Sequence, residues 1–354
     1  MKKIVKSKAY AQAGVDIDLG NSVKSQLPKL LASTHRPEVL GKVGGFGGLF
    51  ALKVSQYKQP VLVSSVDGVG TKLKIAFALN KHNTVGADLV NHCVDDIAVL
   101  GAEPLFFLDY IGTGKLEPSV FQQLITGFAK ACSENNCALI GGETAQMPDF
   151  YAPGEYDVSG TIVGIVERSN MLNGTGIRKG DRVIGIASNG LHTNGYSLAR
   201  KIFFEKMKLD YSSKPAGLKC TIGAELLKTH LSYGNLIQML LKKYNLPKTP
   251  RVIKGLAHIT GGGFIDNIPR ILPVNRDVVI RKGSWPIPPV FKLIQNSGCI
   301  DDSEIYQVFN MGIGMTAIVD AKQADAILND IKKAKYKAWH IGEVVTGTGR
   351  SRVE

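Results

Sequence analysis

Three acidic side chains in this sequence stand near glycine-rich turns: Asp67 in VSSVDGVGTK, Asp96 in CVDDIAVLG and Glu143 in LIGGETAQ. A carboxylate at such a turn can share a phosphate that has approached the bare backbone. Oxygen donors from separate strand and helix ends suit magnesium, a hard cation that keeps waters and substrate phosphates among its ligands. Asp67, Asp96 and Glu143 are therefore the candidate metal ligands. Asp88, His92 and Asp95 or Asp96 recur at i, i+4, i+7 or i+8, which places them on one polar helix face. The expected state of Asp88 is a solvated helix surface.

Glycine supplies the second signal. Gly44, Gly45 and Gly47 lie in GGFGGLF, Gly68 precedes Thr71 and Lys72 in DGVGTK, and Gly261, Gly262 and Gly263 lie in HITGGGFIDN. Such turns opening a helix expose N–H groups to a phosphate, which makes these residues the candidate nucleotide contacts. No segment has the GxxxxGK[ST] pattern, and no GxGxxG follows a strand. Histidine supplies the third signal. His192 and His258 lie in Gly/Asn/Thr-rich turns, where an imidazole can shuttle a proton or donate to phosphate. With Asp96 they are the candidate catalytic residues. His35, His82, His230 and His340 read as surface or packing residues, and His92 is left open. The sequence has no GxSxG, HExxH or paired CxxC, so it offers no nucleophilic triad and no zinc knuckle.

Elements must hold these residues in place. Residues 61–66, 105–111, 137–140 and 158–166 read as strands. Residues 86–101 and 118–134 read as helices, the second with proline at its start. Beyond the polar stretch 170–180, residues 183–187 and 315–320 read as strands. Residues 194–206, 233–244, 264–272 and 321–333 read as helices. This order predicts an α+β chain of two α/β-type domains, 1–170 and 171–354. A length of 354 residues accommodates both.

Residues 1–170 carry equal numbers of acidic and basic side chains, so the whole net charge of +13 falls in residues 171–354. The excess is spread out and has no interleaved aromatic stripe, so small polyanions suit it better than nucleic acid. No run is apolar enough to span a membrane. Five scattered cysteines fit reduced thiols in a cytoplasmic protein.

Eight ordered blocks together resemble the aminoimidazole ribonucleotide synthetase family. They are AGVDIDLGN, RPEVLGKVGGFGGLF, VSSVDGVGTKLKIA, GAEPLFFLDYIGTGKL, LIGGETAQMPDFY, SNGLHTNGYSLARKI, HITGGGFIDNIPR and FNMGIGM. The resemblance implies ATP-dependent closure of formylglycinamidine ribonucleotide to aminoimidazole ribonucleotide, with ADP and phosphate released, in purine biosynthesis. It implies Mg2+ and ATP at Asp67, Asp96 and Glu143, and an N-terminal arm at 14–21 that closes over nucleotide beside GGFGG. His258 matches a histidine of the ATP site, and His192, Asn194 and the 261–263 turn would hold phosphate or ribonucleotide. It further implies a homodimer whose N-terminal sheets form a joint barrel, with the C-terminal sheet covered by helices. The chain departs from the family's usual pattern at Asp95, where Asn is usual, and at His92, where Met is usual. It also departs at Gln146 and Asp149 in GETAQMPD, and at Pro28 where an arm lysine often stands. The relatives of that superfamily, and an RNA binder using the basic second half, are the alternative readings.

Overall fold

A computed structural model describes residues 8–25, 27–41 and 45–354 of the chain. Among them ten strands form two sheets. The first sheet holds β1 (Pro60–Gly68), β2 (Glu103–Thr113), β3 (Ala138–Gln146) and β4 (Tyr156–Glu167), in the order β1-β4-β2-β3. β4 runs antiparallel to both β1 and β2, while β2 and β3 are parallel. Alternation explains the faces. Phe107 and Ile111 are buried, whereas their neighbours Phe106, Leu108 and Tyr110 are only half-buried, as expected of strands with one covered face.

Two helices, Asn83–Ala98 and Pro118–Glu134, cover the inner face. They cross with their backbones almost touching. A Cβ added at Gly86 would lie 2.5 Å from the Leu124 carbonyl oxygen, so the crossing requires glycine there. Leu89, Val90, Val94 and Ile97 pack with Phe107, Phe128 and Ile162 in the core.

The second sheet holds β5 (Arg182–Ala187), β6 (Ile253–His258), β7 (Arg276–Ile280), β8 (Ile313–Val319), β9 (Ala338–Thr346) and β10 (Ser351–Val353). Their order is β10-β7-β9-β5-β8-β6. The helices Gly234–Tyr244 and Ala324–Lys333 pack with Ile184, Ile186, Met315 and Val319 in one core cluster. Val183, Ile313, Ile318, Phe264 and Phe291 belong to the other. β6 and β8 are buried along their whole length.

The expected elements are present, with their ends moved by a few residues. Two of the helices change form along their length. Residues 194–206 become a short α-helix, Tyr196–Arg200, that widens into a π-turn at Lys201–Lys206. Residues 264–272 become Gly263–Asn267 followed by a 3-10 turn, Ile268–Ile271.

One buried acid sits inside the first sheet. Asp109 on β2 is 9% exposed, and burial, with a smaller push from Glu143, raises its carboxyl to about 7. Its pKa in the folded chain thus lies above the unfolded value. The folded state then binds the extra proton, and stability falls as pH rises from about 4 to about 7. Asp109→Asn should remove that loss. Thermal melts of the variant and parent should nearly coincide at pH 4.5, and the variant should melt higher at pH 8.

Candidate functional site

The Asn83–Ala98 helix does more than cover a sheet. Its other side faces the second half of the chain, and nearly every polar residue on it is answered from there. Asp88 Oδ1 accepts from the His230 amide at 2.6 Å. Asn91 Nδ2 donates to the His230 carbonyl oxygen at 2.7 Å. His92 Nδ1 meets Thr193 Oγ1 at 2.8 Å. Asp95 Oδ1 accepts from the Tyr233 amide at 2.7 Å. Asp96 Oδ1 meets His258 Nδ1 at 2.9 Å. The i, i+3/i+4, i+7/i+8 stripe is therefore a seam between the two halves. Asp88 is not a solvated surface residue, because the seam leaves it fully buried.

A cavity of about 550 Å3 opens at one end of this seam. Asp67, Gly68, Val69 and Gly70 line it from the end of β1, and His92 and Asp96 from the helix. Thr193, Asn194, Thr260, Gly261 and Arg270 line it from the second half. Asp67 Oδ2 and Asp96 Oδ2 flank His92 Nε2 at 2.7 and 3.9 Å, and Ser65 Oγ donates to Asp96 Oδ2 at 3.0 Å.

The charges follow from these contacts. Burial pulls His92 down, but the hydrogen bond it donates to Asp67 and the charges of Asp96 and Asp67 outweigh it and raise its pKa. Burial pushes Asp67 up, yet His92 and the Gly68 amide bring it below the usual carboxylate value. Asp96 is likewise lowered against burial, by His258, His92 and Ser65. Burial wins at His258, whose pKa falls. A neutral His258 then donates its Nδ1 proton to Asp96. The site thus presents two ionised carboxylates around one imidazolium.

Several expected site residues stand elsewhere. Lys72 does not reach the cavity: it is 0% exposed, 2.7 Å from Asp88 Oδ2, and donates to the His192 and Lys228 carbonyl oxygens. Burial lowers Lys72 and raises Asp88, each charge holding the other's shift back. His192 is 1% exposed and is not on the cavity wall, so it has no path to a substrate as an acid or base. His258 also stays behind Asp96, which it positions. Thr71 is exposed and bonds Ser197 Oγ at 2.9 Å, off the cavity wall.

Of the three turn glycines only Gly261 lines the cavity. Gly262 takes φ +94°, and a Cβ on Gly263 would collide with the Tyr306 carbonyl oxygen, so these two serve the backbone.

Glu143 is separated from Asp67 in this chain. It is exposed on β3, the opposite sheet edge, with β4 and β2 between, which is about 14 Å at ordinary strand spacing. Gly45 and Gly47 are exposed in a loop on that same side, where Gly48 packs on Ile140 of β3. The arm is there too, with the Asp16 carbonyl oxygen accepting from Gln146 Nε2 at 3.2 Å. Gly44 lies outside the described residues.

Sequence reasoning passed over His230, Thr193, Thr260, Asp157 and Arg270. Arg270 and Thr260 belong to the HITGGGFIDNIPR block and could have been marked by it. His230, in KTHLSYG, has no local signal, because only the fold brings it to the seam.

The fold is a two-domain α/β one with a cavity lined from both halves, and the comparisons name its family. The family model "AIR synthase related protein, N-terminal domain" matches residues 51–166, and its C-terminal counterpart matches 178–354. A phosphoribosylformylglycinamidine cyclo-ligase of Syntrophotalea carbinolica is 50% identical over 339 residues, covering 96% of this chain and 95% of that one. One from Geobacillus thermodenitrificans is 49% identical over 344 residues, 97% of each. The chain belongs to the phosphoribosylformylglycinamidine cyclo-ligase family and is an enzyme, a ligase. Solved structures share the fold at low identity. Hydrogenase maturation protein HypE in complex with ATP has a TM-score of 0.66 at 14% identity, over 95% of this chain and 91% of that one. Thiamine-monophosphate kinase of Stenotrophomonas maltophilia has 0.65 at 16%, over 92% and 94%.

The buried Lys72–Asp88 pair predicts a stability effect. Lys72→Met leaves Asp88 buried without its cation and should cost about 3–5 kcal/mol. Denaturant melts should show this loss, and Lys72→Met with Asp88→Leu should recover much of it.

Proposed function

We propose that the cavity bounded by Asp67, Asp96, Asn194 and Gly261 is where this ligase brings ATP and formylglycinamidine ribonucleotide together. The chain performs the ATP-dependent ring closure to aminoimidazole ribonucleotide, with ADP and phosphate released, a step of purine biosynthesis. The supporting observation is the pair of carboxylates flanking His92 at a cavity shared by both halves.

The formamide oxygen is a poor leaving group. Transfer of the γ-phosphoryl group breaks the bond between the β–γ bridging oxygen and Pγ and forms a bond from Pγ to the formamide oxygen. The amidine nitrogen then attacks the same carbon, the C–N bond closes the ring, the nitrogen sheds one proton, and phosphate departs with the oxygen. Asp67 and Asp96 alone would repel a triphosphate, so these two residues would hold a divalent cation that offsets their charge. All-oxygen donors suit Mg2+, which when bound neutralises charge on the transferring group. Arg270 supplies a fixed positive charge on the cavity wall. Thr193, Thr260 and the Asn194 amide supply neutral hydrogen-bonding groups to orient the ribonucleotide. Ser65 and His258 hold Asp96 at its angle.

The division at 1–170 and 171–354 assigns Asp67 and Asp96 to an ATP-binding and dimerisation domain. Thr260, Gly261 and Arg270 then fall in a substrate-binding one. Glu143, Gly45, Gly47 and the arm sit together on the far sheet edge, so a second copy of the chain would supply them to this cavity. The outer face of the first sheet supports that homodimer: Leu62 and Val66 are 55% and 67% exposed there. A joint barrel built from two such sheets would cover them. Val66→Asp should therefore give a monomer in sedimentation, where the parent chain sediments as a dimer. A cytoplasmic setting accords with the reaction.

The direct test is purified protein with formylglycinamidine ribonucleotide and Mg-ATP, following ADP release and diazo-dye detection of the aminoimidazole. One product per ADP is expected. Asp67→Asn and Asp96→Asn should each lower kcat by about 100-fold or more. Full activity in either variant would remove that residue from the reaction.

A further inference from the structure

We propose that His192, His230 and His258 form a second cation site, for a transition-metal ion of the zinc class, in the wall between the two halves. The three imidazoles offer nitrogens that all lie within 4.8 Å of one another, and all three side chains are buried. His230 Nε2 and His258 Nε2 face each other at 3.2 Å. Two nitrogens on one tetrahedral zinc ion, each about 2.0–2.1 Å from it, stand roughly 3.3 Å apart. The pair is thus already close to the spacing that a shared ion requires.

Asp96 sets the tautomer of His258. His258 donates its Nδ1 proton to Asp96 at 2.9 Å, which puts the lone pair on Nε2, facing His230 Nε2. A carboxylate behind a ligating histidine is the usual arrangement at such sites. His192 is the more telling member. It is 1% exposed, and neither of its ring nitrogens has a hydrogen-bond partner. Its ring stacks on His230 at 4.0 Å between centroids, and its backbone takes φ +61°, a costly conformation for a side chain of this size. A buried imidazole with both nitrogens unpaired calls for a partner that these protein groups do not supply.

Asp95 Oδ2 is also buried without a hydrogen-bond partner and lies 3.4 Å from His230 Nε2. Imidazole nitrogens select zinc, cobalt, nickel or copper over magnesium, so this site and the carboxylate pair at the cavity sort cations by type. A second cavity lies on the far side of the seam. His230 forms part of the wall of this cavity of about 480 Å3, with Asn91, Asn189 and Thr229. An ion held here would fasten the two loops carrying His192 and His230 to the end of β6, and so fix the histidine behind Asp96.

The test is a cobalt(II) titration of the chelator-treated full-length protein, followed by visible absorption and repeated against zinc. The expected result is one equivalent of Co2+ with the intense d–d bands of a tetrahedral nitrogen site. Zinc should displace it, and millimolar Mg2+ should not. His192→Gln and His230→Gln should each weaken binding by about 10–100-fold or more, a loss of the size seen when even a supporting group is removed. Asp67→Asn should leave it unchanged. Absence of tetrahedral bands in the parent protein would overturn the assignment, as would identical titrations in both histidine variants. If His230→Gln does not fold by circular dichroism, the parent titration and His192→Gln still decide the matter.

Discussion

One helix sets the terms for the rest of this molecule. Asn83–Ala98 is buried along most of its length, yet it carries Asp88, Asn91, His92, Asp95 and Asp96. Polar groups so deeply placed are tolerable only when each is answered. The answers come from Thr193, His230, Tyr233 and His258, which are distant in sequence. The two halves are therefore positioned by hydrogen-bond and charge matching along a single seam. A shift of either half would strand several buried groups at once.

The cavity proposed for the reaction is the open end of that seam. Where the seam is closed, Lys72 and Asp88 neutralise each other out of contact with water. Where it opens, Asp67 and Asp96 keep their charge because histidines stand beside them. The same residue types thus form a closed ion pair at one end and stand charged at a cavity at the other, and burial decides which. The acidic group at the opposite sheet edge, Glu143, belongs to a different surface. Its distance within one chain is what makes a second copy part of the account.

Much of the first half was legible in the sequence. The segments 61–66, 105–111 and 158–166 have β-branched or aromatic runs between turns, and the helix at 118–134 announces its start with Pro118. The second half was harder. β6 contains Lys254 and Gly255 and is buried on both faces, so it shows no period-two alternation. The sequence also could not separate Lys72 in DGVGTK from a phosphate-binding lysine, because its partner Asp88 sits sixteen residues away on a face that reads as solvated. His230 lacked any local cue. His192 carried the right neighbours for a catalytic residue, but the turn that holds it faces inward. Asp67 and Asp96 could be marked as candidates because a strand end and a helix face each have their own pattern, and the fold brings the two to one cavity.

The most direct measurement is anomalous scattering from crystals of the protein grown with Mn2+ and a non-hydrolysable ATP analogue. The account predicts a manganese peak against the cavity-facing oxygens of Asp67 and Asp96, with the triphosphate beside Gly68. A peak at Glu143 with none at Asp67 or Asp96 would contradict it.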